Sequence, residues 1–451
     1  MKTKEKNGIE IPEILLPGPA IDMTKWPVVA CDQYTSQPEY WEEVAALVGD
    51  EPSTFHLIFP EVYLENSDEA RRIGKIQQKM AEYLSREILI SSTPGFILVN
   101  RRTARAQSRQ GLMVALDLEC YDFRNGAKTL IRATEGTVLE RIPPRVRVRE
   151  GASLECPHVM ALIDDPEGTV IEPLAREVIG RQPLYDTDLM MNGGHITGYQ
   201  INDPAAIDRL QNALRRLADP EYFSAKYGVD DQNVLLCAVG DGNHSLATAK
   251  AVWEKLKQSL PSEARTSHPA RYALVELVNV HDRGIRFEPI HRVVFDGTED
   301  ILRQMRQYFT ARGSEVTVRD IPETNGLEAL VQSRRKSGRA EIHCFGFCNQ
   351  AGQGIVEIKK TGHQLDVATL QEFLDEWLRA NSDSRIDYIH GAEVVAELGV
   401  KPGNTGFFLP AMDKSDLFRT VIVDGVLPRK TFSMGEAEEK RFYLECRKIV
   451  I

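Results

Sequence analysis

The stretch LLCAVGDGNHSLATAKAVWEKL, residues 235–256, joins three kinds of sequence without a break. The apolar run from Val234 to Val239 has the composition of a buried strand. Gly240, Asp241, Gly242, Asn243, His244 and Ser245 make a turn of small and polar residues. Leu246, Ala249, Trp253 and Leu256 then recur on one helical face. A strand, a glycine turn and a helix start form an anion site on general grounds. The helix N-terminus offers unpaired N–H groups and positive partial charge. Gly240 and Gly242 permit positive φ and close approach of a ligand, while Asn243, His244 and Ser245 add donors. Asp241 could hold a divalent metal or orient His244. The turn is neither a Walker A loop nor the dinucleotide fingerprint. The plainer alternative is a tight turn capped by Asp241 or Asn243, but a cap needs one such residue, not a run of them.

The chain has 451 residues, a formal net charge of -11, 42% hydrophobic and 27% charged residues. That is enough chain for two or three cores. The acidic balance argues against a nucleic-acid binder, which usually presents a basic face. No apolar run reaches membrane-spanning length, and the N-terminus lacks a signal-peptide core, so a cytoplasmic protein is expected. The seven cysteines are scattered. The close pair, Cys344 and Cys348, fits a strand better than a zinc knuckle, and reduced, buried thiols are expected.

Three more segments carry candidate chemistry. RATEGTVLERIPPRVRVR (132–149) crowds arginines into an acidic protein, and guanidinium forks suit phosphate oxygens. Arg145, Arg147 and Arg149 alternate with Val146 and Val148, which predicts a solvated strand face. Arg132 and Arg141 remain candidate anion ligands. Glu135, between Thr134 and Thr137, stands as a general base would. In ACDQYTSQPEYW (30–41), Asp32, Gln33, Thr35 and Ser36 occupy a strand-to-helix turn, although Thr35 or Ser36 as N-cap would also explain it. In EPIHRVV (288–294), His291 and Arg292 fit an anion site or a satisfied core pair equally well. His195 in MNGGHITG and Lys430 in LPRKTFS are weaker candidates. No G-x-S-x-G elbow supports a Ser-His-Asp hydrolase.

The wider pattern predicts short strands at PVVAC (27–31) and TFHLIF (54–59), and helices at 37–49 and after Ser67. It predicts a strand pair at GFILVNRRT and GLMVALDLECYDF, a Gly-Gly turn in LMMNGGHITGYQI, and a helix capped by Asp203. ARYALVELVNV reads as a buried strand. From about residue 297 the texture changes. Helices near 299–310, 326–335 and 367–379 alternate with strands near 340–348 and 353–360. The expected domains are 1–296 and 297–451.

The order of segments resembles the bacterial domain-of-unknown-function family 1015. That family shows a D-G-H-H-R-x-x-x-A turn, here DGNHSLATA, and an R-P-H-E-x-T segment, here RATEGT. It shows P-T-H-R, here PIHRVV, and P-P-K-S-T-x-F, here LPRKTFS. The resemblance implies an α+β fold: a mixed-sheet ParB/sulfiredoxin-like core elaborated with helices, plus a smaller α/β C-terminal region. It implies kinship with a superfamily that includes kinases of free L-serine using ATP, ADP or pyrophosphate. A phosphotransferase giving O-phosphoserine is then expected, with a small phosphate donor and a small hydroxyl acceptor as partners. By that resemblance Asp241, Gly242, Asn243 and His244 cradle phosphate. For such a phosphotransferase Mg²⁺ is expected on Asp241 or Asp32, and Glu135 or Asp32 is expected to orient and deprotonate the acceptor. Ser245 stands where the turn usually has arginine, Asn243 where it has a histidine, and Thr134 where the R-P-H-E segment has histidine. Arg132, Arg141 and Arg292 are the arginines that could replace the missing one. Two rival readings stay open. One is a phosphomonoester hydrolase using the same cradle; the other is a non-catalytic nucleotide-sensing or DNA-associated protein. The oligomeric state is open as well.

Overall fold

In the computed structural model, which describes residues 7–230, 232–297, 300–322, 326–337 and 342–451, the opening stretch folds as its pattern predicts. Cys237–Asp241 is a strand and Asn243–Leu256 a helix, with Gly242 between them at φ 77. A Cβ at Gly242 would lie 3.0 Å from Val159 Cα, so both the backbone angle and the space require glycine.

The chain divides into two compact units, Met1–Ile285 with Gly435–Ile451, and Arg286–Met434. The division expected at 296/297 is displaced for a physical reason. Strand Phe287–Phe295 pairs with Arg385–His390, Thr405–Phe408 and Phe432–Met434, so it belongs to the second unit's sheet. The tail returns to the first unit, where Phe442–Tyr443 pairs with Val28–Val29 and Arg447–Lys448 with Leu154–Glu155.

The fold is α+β. The first unit is built on a ten-stranded mixed sheet. Its order runs Tyr185–Leu189, Gly194–Ile201, Phe96–Arg102, Arg109–Asp117, Tyr272–Asn279, Met160–Ile163, Cys237–Asp241, Ile131–Ala133, Tyr121–Asp122, with Ile9–Glu10 beside Arg109–Asp117. Three pairings are parallel: Met160–Ile163 with Tyr272–Asn279, Ile131–Ala133 with Cys237–Asp241, and Tyr121–Asp122 with Ile131–Ala133. One sheet face packs under the helix Asn243–Leu256 through Leu246, Ala249 and Trp253. The other packs on Trp26, Trp41, Val44, Tyr83 and the tail residues Phe442 and Leu444. The second unit is a seven-stranded sheet with helices Ile301–Ala311, Leu327–Ser337, Asp366–Ala380, Ala392–Gly399 and Lys414–Val423. The expected element starts at 299 and 340 lie outside the described residues. Among the described residues, no helix is long and apolar enough to cross a membrane.

Most expected elements form, including the strand pair with Ile97 opposite Met113 and the helix Pro204–Leu217 capped by Asp203 through Ala206 N. Two do not. TFHLIF is not a strand: Thr54–Leu57 is a 3-10 turn capped by the Ser53 hydroxyl. RVRVR is not a strand face either. Ile142–Arg149 is a helix with proline in its first turn, a position that suits proline's missing N–H and fixed φ. Its arginines reach carboxylates: Arg145 pairs with Glu61, Arg147 with Glu69 at 2.7 Å and Arg149 with Glu155 at 2.5 Å. Cys344 and Cys348 lie buried on strand Ile342–Asn349, and all seven cysteines are free.

Candidate active site

The helix Asn243–Leu256 starts without a capping side chain, because its N-cap is Gly242. Asn243 is spent on local order: its Oδ1 accepts from Thr134 N and its Nδ2 donates to Thr134 Oγ1, each at 3.3 Å. His244 Nε2 accepts the Val138 N–H at 3.3 Å, so the neutral ring carries its proton on Nδ1. These bonds tie the 134–138 segment to the helix start. They bring half-buried Glu135 and Thr137 to the same end of the sheet as His244 and Ser245. Thr137 Oγ1 is buried without a hydrogen-bond partner among the described residues, a vacancy that a ligand's oxygen would satisfy.

Asp241 ends the strand beside this start. Its Oδ1 accepts the Gly242 N–H at 3.0 Å, and its Oδ2 lies 3.4 Å from Lys440 Nζ. Strand Met160–Ile163 runs antiparallel to it with Met160 opposite Asp241, which brings the preceding residue pair His158–Val159 against Gly242. His158 Nε2 stands 3.6 Å from Asp32 Oδ2, and His158 Nδ1 bonds the Tyr443 hydroxyl at 2.7 Å. The same hydroxyl accepts from Cys31 N at 3.1 Å. With Tyr443 donating to Nδ1, the neutral ring carries its proton on Nε2, facing Asp32, as the charged ring also does. The loop that carries Asp32 is held by Tyr34, which adopts φ 53 and stacks on Tyr40 at 3.6 Å.

The charges in this cluster act on one another. Burial pushes the Asp32 carboxyl up, but the charge of His158, the Gln33 amide and the charge of Lys440 outweigh it and hold the group below its ordinary range. Glu61 goes the other way: burial raises it, Arg145 opposes, and the Asp32 charge adds to the rise. Glu61 is the partner of Arg145, so its shift belongs to a structural ion pair, whereas Asp32 faces His158 and Lys440.

The expected residues thus separate. Asp32, Glu135, Thr137, Asp241, Gly242, Asn243, His244 and Ser245 belong to elements gathered at the start of the helix Asn243–Leu256. Thr35 and Ser36 are exposed on the Asp32 loop, and neither caps the following helix, whose N-cap is Gln37. Arg141 is exposed at the start of Ile142–Arg149. Five candidates fall outside this cluster. Arg132 is buried and its guanidinium is taken up by backbone carbonyls, Thr129 O at 2.8 Å and Asn233 O at 2.6 Å. His291 and Arg292 are buried in the second unit. His291 Nδ1 accepts from Leu409 N at 3.1 Å. Arg292 donates to Gln371 Oε1 at 3.1 Å, Lys430 O at 2.9 Å, Arg429 O at 3.2 Å and Ile290 O. Lys430 is exposed in that unit, and its carbonyl is what Arg292 uses. His195 is clamped between Asp188 at 2.7 Å and Asp186 at 2.5 Å. Among the described residues, no group of three His, Cys, Asp or Glu side chains is placed to hold a metal.

Sequence reading missed His158, Tyr443, Lys440 and Glu61. ECPHVM gave no periodic signal around His158. The tail KRFYLECRK did carry one: Arg441, Glu445 and Arg447 sit among apolar residues in a strand-like run, and all three are buried. Arg441 pairs with Glu276 at 2.7 Å and with Glu445, and Arg447 pairs with Glu155 at 2.7 Å. These buried pairs fix the tail and so fix Lys440 and Tyr443.

Comparison with known proteins places residues 15–377 in a family model described as a protein of unknown function, DUF1015. No curated protein matches the chain. Among solved structures, a free serine kinase variant in complex with ADP aligns with TM-score 0.38 and 10% identity, covering 78% of this chain and 95% of that one. A conserved hypothetical protein from Pyrococcus furiosus aligns with TM-score 0.35 and 12% identity, covering 75% and 95%. SbnI from Staphylococcus aureus, with a C-terminal truncation, aligns with TM-score 0.34 and 8% identity, covering 73% and 85%. Likenesses this distant leave the function to the residues themselves.

Proposed function

The chain belongs to the DUF1015 family, and from that premise and the site above we propose that it is a phosphotransferase acting on a small hydroxyl acceptor. The observation that carries the reading is the gathering of Asp32, His158, Asp241 and Lys440 at an uncapped helix N-terminus. Phosphoryl transfer asks for positioning and charge stabilisation more than for covalent chemistry. The N–H groups at the start of Asn243–Leu256 and the Lys440 ammonium receive phosphoryl oxygens. Asp32, held ionised, accepts the hydrogen bond of the acceptor hydroxyl and orients it. His158 keeps that carboxylate in place, and Tyr443 keeps His158 turned. His244 donates from Nδ1 at the mouth of the cradle. A Mg²⁺ ion would meet the Asp241 carboxylate as its protein ligand, with phosphate and water oxygens completing the shell. That mode suits Mg²⁺ better than a cage of protein ligands, and the ion would neutralise charge on the donor.

Free L-serine is the acceptor to try first, because the resemblance of the DGNHSLATA and RATEGT segments implies it. The test crosses ATP, ADP and pyrophosphate with L-serine, other small amino acids and small alcohols, with Mg²⁺ present, and reads phosphorylated product by mass spectrometry. A product with one acceptor establishes the reading. Release of inorganic phosphate without any acceptor assigns hydrolysis instead, and no turnover of any donor rejects both.

A further inference from the structure

Cys156 and Cys446 face each other across two strands that build the candidate site. Their sulfurs lie 3.4 Å apart. The register explains why: Leu154–Glu155 pairs antiparallel with Arg447–Lys448, Glu155 opposite Arg447, so the next pair along is Cys156 and Cys446. Cys446 exchanges both backbone hydrogen bonds with Leu15 on its other side, at 2.8 and 3.0 Å. Ile449 N, three residues on, bonds Ser153 O at 3.1 Å. Cys156–Cys446 is therefore a non-hydrogen-bonded pair, the closer kind, with α-carbons about 4.5 Å apart. That spacing lies inside the range a disulfide spans.

We propose that Cys156 and Cys446 are a reversible disulfide site, and that oxidation covalently fastens the tail to the segment that leads into His158. With hydrogen peroxide as oxidant, the sulfur of Cys156 attacks one peroxide oxygen and gives a sulfenic acid and water. The Cys446 sulfur then displaces the sulfenic oxygen as a second water, forming the S–S bond. Two thiols and one peroxide yield one disulfide and two waters. Cys156 reacts first, because it is only half-buried while Cys446 is sealed. The bridge falls two residues before His158 and three after Tyr443, the pair whose 2.7 Å bond sets the ring beside Asp32. Oxidation restricts the chain on both sides of that contact.

The test needs no assay of phosphoryl transfer, so it stands apart from the functional reading. The purified chain is treated with dilute hydrogen peroxide, denatured, and its free thiols counted by maleimide mass tagging. The count should fall from seven to five. Peptide mapping should find Cys156 joined to Cys446, and dithiothreitol should restore the count. The oxidised chain should melt about 5–15 °C higher, since the bridge closes a long loop. Cys156→Ser, the change at the less buried position, should hold six thiols through the same treatment and show no rise. A wild-type count that stays at seven, or a bridge mapped to other cysteines, overturns the proposal.

Discussion

At 241–245 an acid, an amide, an imidazole and a hydroxyl stand half-buried at a helix start, beside a lysine and a second carboxylate brought from distant chain. At 291–292 an imidazole and a guanidinium are sealed inside a strand, and acceptors from four residues meet Arg292 alone. Both stretches have the composition of an anion site. The difference lies in where their polar atoms are spent. Arg292 is consumed in holding Ile290, Arg429, Lys430 and Gln371, and it stacks 4.8 Å from the Tyr388 ring. The 241–245 turn has glycine where a cap would be, and the charges gathered beside it are only partly buried. Buried cations with a full set of partners hold folds together; half-buried clusters of mixed charge are where ligands bind.

The largest effect that would break this contrast belongs to Arg292. Arg292→Met leaves several buried oxygens without a donor, each costing about 1–3 kcal/mol. A combined loss of about 3–5 kcal/mol is expected. Hydrogen exchange should show it as faster exchange in peptides from 286–434. Near-wild-type protection in those peptides would mean that Arg292 is available to a ligand after all.

Next come Asp32 and Lys440. Asp32→Asn and Lys440→Met should each lower kcat by about two to three orders of magnitude, roughly 2.7–4 kcal/mol of transition-state stabilisation. Melting temperature should move little. His244→Ala should show the same pattern. Early melting with intact turnover would make the 241–245 cluster another structural network, and the contrast with 291–292 would vanish.

A third effect lies in the second unit's core. His343 is buried on strand Ile342–Asn349, bonded to Thr369 Oγ1 at 2.7 Å, and burial, with Arg335 and His363 nearby, pulls its pKa down to about 4. The unfolded chain then binds the proton more tightly than the folded one. His343 therefore leaves stability intact above about pH 6.5 and removes it as pH falls towards 4. The full drop is on the order of 3 kcal/mol. Denaturant titrations at pH 7 and pH 4.5 should show it, and His343→Gln should flatten the difference between them. A wild-type difference that survives His343→Gln assigns it to other groups.

Local pattern made much of this fold legible. The turn at 240–245 announced itself because glycine, a strand period and a helix period meet there. The Asp203 cap and the strand pair at 96–117 were legible for the same reason: each is decided within a few residues. What pattern could not supply was long-range pairing. His158 meets Tyr443 across 285 residues, and Lys440 meets Asp241 across the boundary between body and tail. The alternation of Arg145, Val146, Arg147 and Val148 imitated a strand, while the prolines at 143 and 144 had already fixed a helix start. The buried charges of the tail were the missed clue, since Arg441, Glu445 and Arg447 have no reason to sit in an apolar run unless partners await them.

The smallest effect tests the outer limit of the available class. Thr35 and Ser36 have two readings as sequence: a helix cap, or hydroxyls offered to a ligand. The cap reading predicts a loss of about 1 kcal/mol on replacement by alanine. The helix Pro38–Val48 has Gln37 as its N-cap, with no side-chain capping bond. Thr35→Ala and Ser36→Ala should therefore change stability by less than about 0.5 kcal/mol, as exposed positions do. What remains is the ligand. Both residues share the loop with Asp32, whose carboxylate is taken to orient the acceptor. If either hydroxyl touches that acceptor, its loss raises KM severalfold while kcat holds, the signature of binding shared equally by ground and transition states. Unchanged KM and stability would place both hydroxyls outside the site, and its edge would then fall at Asp32.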